Sequence, residues 1–534
     1  MNLELATQWS EVSEANIGAE THPPLSWGSP IVTLPSAGVT LTESATKLFQ
    51  LMTVTHCVFR RGKVVVTLSR NMLGTAVLDP LRPSSARSFF ENFARFVVWR
   101  MGKNNSLVLK PAVIPEETAR AFIDCVAAID LLPAVNGLVN CPILIEEGDA
   151  LTVCGAGFHS QSGILVQKGK TPPLIPVGEA VAALRSLLAD FRFQSASDES
   201  RAIAAFITPA LKMGSLIRGS IPTDVAEADQ SQSGKTYRQK MIAAIYSEEP
   251  ALVPLKRGGV GSVDESLFEK LVNGRPFIQF DNYRGMFDSP ALEAFLTAKG
   301  SFPCRIPHCR EIEVDPSRFF ILMSSNGVET TRDFANRCSI VRIFKRTNVQ
   351  FPDTLGMIAA RQSYYLGCVF AIVRAWHKAG KPRSAEMRHD FREWCQTLDW
   401  IVQKIFDMAP LIDGHIAAQE RVSSPALTFL RRIALEAERT ENLDTPLMAS
   451  QIFTLAEDAE IPVPGLRDED RHNDDKAKKI IGIKLATVFK NGDRIELDSF
   501  NIVRTESTRE REGDDGGCYI VKTYTFSRIP QEPQ

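Results

Sequence analysis

The sequence lacks any run of about 18 apolar residues, the length that a helix needs to cross a lipid bilayer. Its first residues, MNLEL, contain neither the basic stretch nor the apolar stretch of a secretion signal. Ten cysteines are present, but none are spaced as C-x-x-C, which is typical of reduced and mostly buried thiols. We therefore expect a cytoplasmic protein with no membrane partner.

An excess of charge of one sign is also lacking. The 61 lysines and arginines nearly balance the 63 aspartates and glutamates, which leaves a net charge of −2. Any contact with nucleic acid must therefore come from local basic patches. One group of metal-ligating side chains, Cys304, His308 and Cys309, has no fourth ligand at zinc-finger spacing, so we expect no metal ion there.

The most informative pattern that the sequence does contain is Ser233, Gly234, Lys235 and Thr236 in succession. A phosphate-binding turn needs a small residue where backbone N–H groups close on the phosphates. It also needs a lysine for the β- and γ-phosphates and a hydroxyl for Mg²⁺. The full pattern G-x-x-x-x-G-K-[ST] is incomplete, because Asp229 stands in place of its first glycine. These four residues predict an ATP site, with an ordinary loop as the alternative.

A second element of a nucleotide site follows the apolar run 277–280, which ends in Asp281. A buried strand with a carboxylate at its end commonly holds the metal ion of an ATPase. We predict that Asp281 and Thr236 bind Mg²⁺, and that Lys235 and Asp281 also belong to the catalytic residues. The alternative for Asp281 is a helix-capping role.

Most hydrolysing enzymes of this type place a glutamate after the aspartate to orient the attacking water, whereas this chain has Asn282. An asparagine can hold a water molecule but cannot accept its proton. Glu265 and Asp264, at the start of a predicted helix, are the nearest candidates for that role. Capping of the first turn of that helix is an equally open alternative for both residues.

Two further catalytic residues are predicted from their order along the chain. The strand-like run 319–324 leads to Asn326, and Arg337 follows eleven residues later. Asn326 is a candidate sensor that orients water or the γ-phosphate, and Arg337 is a candidate arginine finger that acts in a neighbouring subunit. An asparagine in a turn and an arginine on the surface are the alternatives.

The segment between Asp281 and Asn326 contains a basic stretch bounded by glycine and proline, with Lys299, Arg305 and Arg310. Such a hairpin suits a loop that contacts the phosphates of a single DNA strand inside a central pore. A surface hairpin with incidental charges is the alternative.

The C-terminal part has the pattern of a winged helix, with helices at 447–457 and 475–489 and strands at 494–504 and 518–528 around a polar turn at 505–517. Lys476 and Lys479 flank the apolar stripe of the second helix and are predicted to contact nucleic acid. The acid-rich stretch 468–475 beside them favours the alternative of a solvated helix face.

The remaining segments are assigned from hydrophobic periodicity and turn signals. Helix-like stretches at 86–100 and 116–129 lie among short apolar runs, and Trp376, Trp394 and Trp400 are expected to pack in a helical core. The length implies three or four domains. The predicted segments are an N-terminal α+β domain at 1–165, a helical brace at 166–214, a P-loop ATPase core at 215–347, a helical domain at 348–440 and a winged-helix-like domain at 441–534.

From about residue 150 to 347 the chain resembles the AAA+-like helicases of phages, plasmids and integrative elements, which are related to viral and plasmid primase–helicases and are superfamily 3-like. The likeness begins at 153–165, with Phe158 and His159 in place of the family's tyrosine and aspartate. It continues through 233–236, 271–282, 325–326 and 337–343. An Asp-Asn ending of the second motif is common in that family, so Asn282 does not imply a dead enzyme.

The resemblance implies a multidomain α/β protein with a P-loop, AAA+-like ATPase core. It implies a homo-oligomer, expected to be a hexameric ring, that hydrolyses ATP with Mg²⁺ between subunits and grips single-stranded DNA with pore loops. Duplex DNA is a further expected partner of the C-terminal domain. The N-terminal part shows no primase site, so priming is not expected. Two alternatives stay open: an ATPase switch in a phage-defence or regulatory complex, and a nucleotide-binding scaffold.

Overall fold

The computed structural model describes residues 30–72, 74–102, 106–228, 232–254, 262–283, 286–305, 311–326, 328–346, 352–461, 463–464, 466, 474–489, 492–497, 499–510 and 518–529. The chain is a mixed α/β protein that divides into two compact units, each assembled from three chain segments. The first unit combines Met1–Tyr283, Ser289–Asn326 and Arg337–Asp413. The second combines Arg284–Asp288, Gly327–Asn336 and Gly414–Gln534.

The first unit begins with two three-stranded sheets and four helices around one apolar cluster that includes Phe49, Phe90 and Phe122. The sheets have the strand orders β1-β5-β6 and β2-β3-β4. The elements are β1 (Ile31–Thr33), α1 (Leu41–Thr53), β2 (Val58–Arg61), β3 (Val64–Arg70), β4 (Ala76–Pro80), α2 (Pro83–Glu91), β5 (Arg95–Met101), β6 (Leu107–Pro111), α3 (Glu116–Ile123) and α4 (Val126–Leu131).

Both helix predictions for this part are wrong in extent. The helix predicted at 86–100 ends at Glu91, and residues from Arg95 onwards form β5. The run Phe-Val-Val-Trp at 96–99 favours an extended chain, and β5 is paired on both sides, parallel to β1 and antiparallel to β6. The helix predicted at 116–129 is broken at Asp124 and Cys125 into α3 and α4.

The next segment, residues 137–213, contains five short strands of small sheets, two helices and the first strand of the central sheet. Its elements are β7 (Gly137–Val139), β8 (Ile143–Glu147), β9 (Ala150–Cys154), β10 (Gly157–His159), β11 (Ile164–Val166), α5 (Val177–Ser186), β12 (Arg192–Phe193) and α6 (Ala196–Met213). Ser195 caps α6 by accepting a hydrogen bond from the backbone N–H of Asp198. The helix is buried along most of its length, which is typical of a helix surrounded by other elements.

A six-stranded sheet forms the centre of the first unit, with the order β12-β21-β13-β19-β15-β14. The elements that build and connect it are β13 (Thr223–Glu227), α7 (Lys235–Ile245), β14 (Ala251–Leu252), α8 (Val263–Val272), β15 (Phe277–Tyr283), α9 (Pro290–Thr297), β17 (Phe302–Cys304), β18 (Ile312–Val314), β19 (Phe320–Ser325) and β21 (Cys338–Phe344).

Five strands of this sheet are parallel, and only β12 runs antiparallel at one edge. Counted along the chain, the parallel strands lie in the order fifth, first, fourth, third, second. The carboxyl ends of parallel strands meet at one edge, which is where ligands of open α/β sheets bind. The loops after β13, β15 and β19 therefore share one edge of the sheet.

Three helices complete the first unit: α11 (Thr354–Ala360), α12 (Gln362–Lys378) and α13 (Arg392–Lys404). Trp376 and Trp394 are buried and Trp400 packs against the same apolar cluster, which confirms the expected core packing. Among the described residues no single helix is long and apolar enough to cross a membrane. The pair α11 and α12, bent by 86°, meets that criterion on length and composition alone.

The second unit has its own apolar cluster, which includes Ile433, Phe453, Leu485 and Phe526. Its four-stranded antiparallel sheet has the order β22-β25-β24-β23. The elements of the unit are β16 (Met286–Phe287), β20 (Glu329–Thr330), α10 (Arg332–Ala335), α14 (His415–Ser423), α15 (Pro425–Arg439), β22 (Pro446–Met448), α16 (Ala449–Asp458), α17 (Asp474–Val488), β23 (Arg494–Leu497), β24 (Phe500–Glu510) and β25 (Cys518–Arg528).

The strands at the C-terminus depart from the sequence prediction in two places. The single strand predicted at 494–504 is two strands, β23 and β24, that pair as a hairpin. The turn predicted at 505–517 is extended as far as Glu510, because Thr505–Glu510 pair residue by residue with β25. An ion pair of 3.1 Å between Lys522 Nζ and Glu506 Oε1 stabilises this polar ladder across the strands.

Candidate nucleotide-binding site

The loop between β13 and α7 carries the predicted phosphate-binding residues. Its first part, residues 229–231, lies outside the described residues. Gly234 has a φ of +88°, and a Cβ at this position would lie 2.9 Å from Cε1 of Phe191. Both the left-handed backbone and the close ring require glycine there. The turn places the N-terminus of α7, which begins at Lys235, at the carboxyl edge of the sheet, where the backbone N–H groups of a first helical turn favour an anion.

Lys235 is buried, with 7 % of its surface exposed, whereas a phosphate-binding lysine in an open cleft would be exposed and would pack against little. Its Nζ donates to Oδ1 of Asn326 over 2.6 Å and to Oγ of Ser233 over 3.2 Å. The physical reason is the strand order: β13 and β19 are neighbours, so the residues that follow them meet and cover the lysine stem. Three predicted site residues, Ser233, Lys235 and Asn326, are thereby brought together.

Thr236 and Asp281, the predicted metal ligands, are also in contact. Oγ1 of Thr236 donates to Oδ1 of Asp281 over 2.6 Å. A hydroxyl beside a carboxylate is the donor set that Mg²⁺ takes from proteins, with the rest of its ligands supplied by water and phosphate. The two side chains therefore fit a magnesium ion.

Ser324 joins these residues, and the sequence analysis did not identify it. Its Oγ donates to Oδ1 of Asp281 over 2.7 Å, accepts from the backbone N–H of Asn282 over 2.8 Å and lies 3.2 Å from Oγ1 of Thr236. The side chain is fully buried. The only sequence signal was a serine near the end of an apolar strand that neighbours the strand of Asp281.

The backbone at Asp281 and Asn282 is irregular. The register between β15 and β19 shifts between Phe280 and Tyr283, as in a β-bulge. Asn282 has a φ of +51°, in the left-handed region that asparagine tolerates better than most residues. The bulge leaves the side chain of Asn282 exposed while Asp281 contacts Thr236 and Ser324.

A buried polar network lies beneath the loop and ties α7 to the sheet. Arg238 pairs with Asp224 of β13, and Nε2 of Gln239 donates to the same carboxylate over 2.9 Å and to the carbonyl oxygen of Met323 over 2.9 Å. Gln279 of β15 donates to Oε1 of Gln239 over 3.0 Å. Three neighbouring strands thus hold one helix through fully buried hydrogen bonds, which are costly to break. The sequence analysis did not find this network.

The two acidic candidates for water activation lie in the first turn of α8. Oγ of Ser262 accepts from the backbone N–H of Glu265 over 3.3 Å, which is a helix cap. Oδ1 of Asp264 accepts from Oγ of Ser289 over 2.7 Å. Asp264 therefore already has a structural partner, and the catalytic role of Glu265 stays a prediction.

Arg337, the predicted finger, is engaged within its own chain. Its Nη1 lies 3.5 Å from Oε2 of Glu293 and 3.4 Å from the carbonyl oxygen of Glu293 on α9. The backbone carbonyl of Arg337 accepts from the N–H of Thr223 over 2.9 Å, next to the start of β13. The ion pair is partly exposed, so the guanidinium is held at the surface rather than in the core.

The residues predicted to contact nucleic acid occupy two places. Lys299 is exposed between α9 and β17, and Arg305 is exposed directly after β17. Strands β17 and β18 pair as an antiparallel hairpin, which confirms the hairpin but leaves its place in a pore a prediction. Arg310 lies outside the described residues. Lys476 and Lys479 are exposed on α17 of the second unit.

The cysteine at the end of β17 has the character of a core residue. Cys304 is buried, and burial raises the pKa of its thiol to about 12. His308 and Cys309, which the sequence places near it, lie outside the described residues. Across the described ranges, no group of three or more cysteine, histidine or acidic side chains is arranged to hold a metal ion.

No protein-family model and no curated protein matches the sequence. Among solved structures, an apo form of the NrS-1 C-terminal region is similar at 10 % identity and a TM-score of 0.36, over 90 % of this chain and 98 % of that one. A structure described as an active helicase, SCCmec type IV Cch, is similar at 11 % identity and a TM-score of 0.33, over 87 % of this chain and 91 % of that one. TM-scores this low carry no weight for fold or function.

Proposed function

We propose that this protein is an ATP-dependent, ring-forming DNA helicase or translocase of a mobile genetic element. The observation that carries the proposal is the convergence of Lys235, Thr236, Asp281 and Asn326, which come from three adjacent parallel strands and one helix N-terminus. The strand order of the central sheet supports a P-loop core of the AAA+-like kind. The sequence resemblance supports DNA as the partner and a mobile element as the source.

In this proposal the chain binds ATP at the carboxyl edge of the sheet. The N-terminal N–H groups of α7 and the ammonium of Lys235 take the phosphates, and Lys235 exchanges its bond to Asn326 for a phosphate oxygen. Thr236 and Asp281 hold Mg²⁺, which neutralises the charge that develops on the phosphates. Asn326, released from the lysine, is then available to orient the attacking water.

Three features support a role for neighbouring subunits and DNA. Arg337 is partly exposed in its pair with Glu293, so its guanidinium is within reach of another copy of the chain without unfolding. The exposed basic residues Lys299 and Arg305 flank β17, where a DNA strand in a ring would pass. In the second unit, helices followed by an antiparallel sheet support a winged helix, with Lys476 and Lys479 exposed for duplex DNA.

The decisive experiment measures ATP hydrolysis with and without single-stranded DNA, together with the solution mass in the presence of nucleotide. We expect hydrolysis that DNA stimulates and a mass that rises to that of a ring. Lys235→Ala should abolish turnover, whereas Lys240→Ala, on the exposed side of the same helix, should not. Turnover that persists in the Lys235 variant would exclude the proposed site.

The same experiment separates the two other functions. Hydrolysis that DNA does not stimulate would favour an ATPase switch in a defence or regulatory complex. Nucleotide binding without measurable turnover would favour a scaffold.

A further inference from the structure

Exposed apolar side chains are concentrated on the sheet β1-β5-β6. One face of this sheet packs on the core through Val32 and Phe96. Side chains alternate along a strand, so the register places Trp99 and Leu109 opposite each other on the outer face. Trp99 is partly exposed. Four further apolar residues of this face are between 48 % and 56 % exposed, namely Ile31, Met101, Leu107 and Leu109.

Strand β6 makes this face unusual, because all five of its residues are exposed. In the part of the chain that the structure describes, β6 pairs with β5 alone and so forms the edge of the sheet. An exposed apolar edge strand promotes aggregation unless a partner covers it or charges protect it. Scattered single apolar residues need no such explanation, but this group is contiguous.

The charges on the same hairpin are all of one sign. Residues 95–111 contain Arg95, Arg100, Lys103 and Lys110 and no acidic residue. Arg95 shares the outer face with Trp99, while Arg100 and Lys110 belong to the opposite face, in the residue pairs on either side of Trp99 and Leu109. A partner that lies on the outer face and passes around the edge strand β6 would therefore meet apolar side chains on one face and basic side chains on the other.

We propose that the sheet β1-β5-β6 binds single-stranded nucleic acid. Unpaired bases supply the apolar faces, for which Trp99 and Leu109 form the platform, and phosphates supply the charge for Arg95, Arg100 and Lys110. A second copy of the chain fits less well, because edge-to-edge pairing of β6 would bring Lys110 of one copy close to Lys110 of the other. The proposal goes beyond ATP hydrolysis and does not depend on it.

The test measures binding of a fluorescein-labelled oligo(dT) by anisotropy at several salt concentrations, without nucleotide. The full chain carries Lys299→Ala and Arg305→Ala, so that the β17–β18 hairpin contributes little. Adding Trp99→Leu and Leu109→Ser should weaken binding about tenfold, because base stacking is lost. Adding Arg100→Ala and Lys110→Ala instead should lower the log–log salt slope by about 1.4, about 0.7 for each phosphate contact.

The matched controls lie in the same part of the chain but away from the sheet. Val126→Ser removes an apolar side chain that is 67 % exposed on α4, and Lys47→Ala removes an exposed charge on α1. Both should leave affinity and salt slope unchanged. Because Leu109 is exposed, Leu109→Ser alone tests the surface even where the tryptophan variant fails to fold.

Unchanged affinity and salt slope in the sheet variants would overturn the proposal. If those variants instead lowered the solution mass, the face would be a contact between copies of the chain. The measurement is independent of the proposed ATPase: loss of binding in the sheet variants with no hydrolysis in the wild type would retain this surface and reject the nucleotide site. Hydrolysis by the wild type, together with unchanged DNA binding by the sheet variants, would retain the nucleotide site and reject this surface.

Discussion

Ser324→Ala tests whether the contacts around Asp281 serve the nucleotide site or only the fold. The substitution removes one fully buried oxygen that donates to Asp281 and accepts from the backbone N–H of Asn282. Thr236 keeps its own bond to Asp281, so the carboxylate loses one of two hydroxyl donors. The neighbouring Ser325 provides a matched control, because its hydroxyl is also buried but donates to the carbonyl oxygen of Tyr283 over 2.9 Å.

The expected magnitude follows from these contacts. Leaving the N–H of Asn282 without its acceptor should lower the free energy of unfolding by about 1–3 kcal/mol. Loss of the donor to Asp281 leaves the carboxylate less well oriented. If the poorer orientation of the carboxylate raises the activation free energy of hydrolysis by about 1.4 kcal/mol, turnover falls about tenfold. Ser325→Ala should lower stability by about 1 kcal/mol, because it loses one hydrogen bond to a backbone carbonyl, and should leave turnover near that of the wild type.

The assay is ATP hydrolysis as a function of Mg²⁺ concentration, with thermal unfolding measured on the same preparations. Ser324→Ala should need more Mg²⁺ for half-maximal turnover, whereas Ser325→Ala should match the wild type. Ser324→Cys, which keeps the size and a weak donor, should recover part of the loss. If both alanine variants lost stability equally and showed the same Mg²⁺ dependence, Ser324 would be a packing residue and the assignment of Asp281 to the metal would be unsupported.

Three further predictions follow from other contacts. Arg337→Ala should retain nucleotide binding but lose hydrolysis by about 10³-fold, because an arginine finger acts in a neighbouring subunit. Glu293→Gln, which removes the charge that pairs with Arg337, should hydrolyse ATP near the wild-type rate. Equal losses in the two variants would mean that Arg337 only forms a local ion pair. Lys299→Ala with Arg305→Ala should reduce DNA-stimulated turnover far more than basal turnover, and equal reduction of both would contradict a DNA contact at β17. His389 is buried with a pKa below its usual 6.5 because burial disfavours its charged form, so its contribution to stability is present above about pH 6.5 and is lost as the pH falls. Thermal unfolding at pH 8 and pH 5.5 should therefore differ less in His389→Asn than in the wild type.

The parts of the site that sequence analysis could predict are those whose residues are consecutive or stand at the end of an apolar strand. Gly234, Lys235 and Thr236 are of the first kind, and Asp281 and Asn326 are of the second. Parallel strands bring their carboxyl ends together whatever the details of packing, so the contacts among these residues follow from strand order. Their roles in ATP binding and hydrolysis remain predictions.

The parts that could not be predicted depend on register and on distant partners. Ser324 reaches Asp281 through the register of β15 and β19: Phe280 pairs with Met323, which places Asp281 beside Ser324, and no local pattern marks that pairing. Lys235 is buried by Asn326, which lies 91 residues away in the sequence. The run at 96–99 favours an extended chain by composition, but its pairing with β1 and β6, which the sequence does not show, fixes it as a strand.

The assembly of the second unit from three chain segments has a consequence for how the protein can be made. Phe287 packs on Phe334 with ring centroids 4.8 Å apart, and Gln419 donates to the carbonyl oxygen of Ala335 over 3.1 Å. During synthesis the first two segments leave the ribosome before their partner exists, since Gln419 follows Ala335 by 84 residues.

The unit therefore cannot complete its folding until its third segment has been synthesised. A fragment that starts at residue 414 lacks Phe287, Phe334 and Ala335. A chain that stops at residue 440 leaves Phe429, Leu430 and Ile433 of α15 without the cluster that covers them. Transfer of the C-terminal sequence to another protein would therefore lose the contact between Gln419 and Ala335, unless the short segment that follows Asn326 were transferred with it.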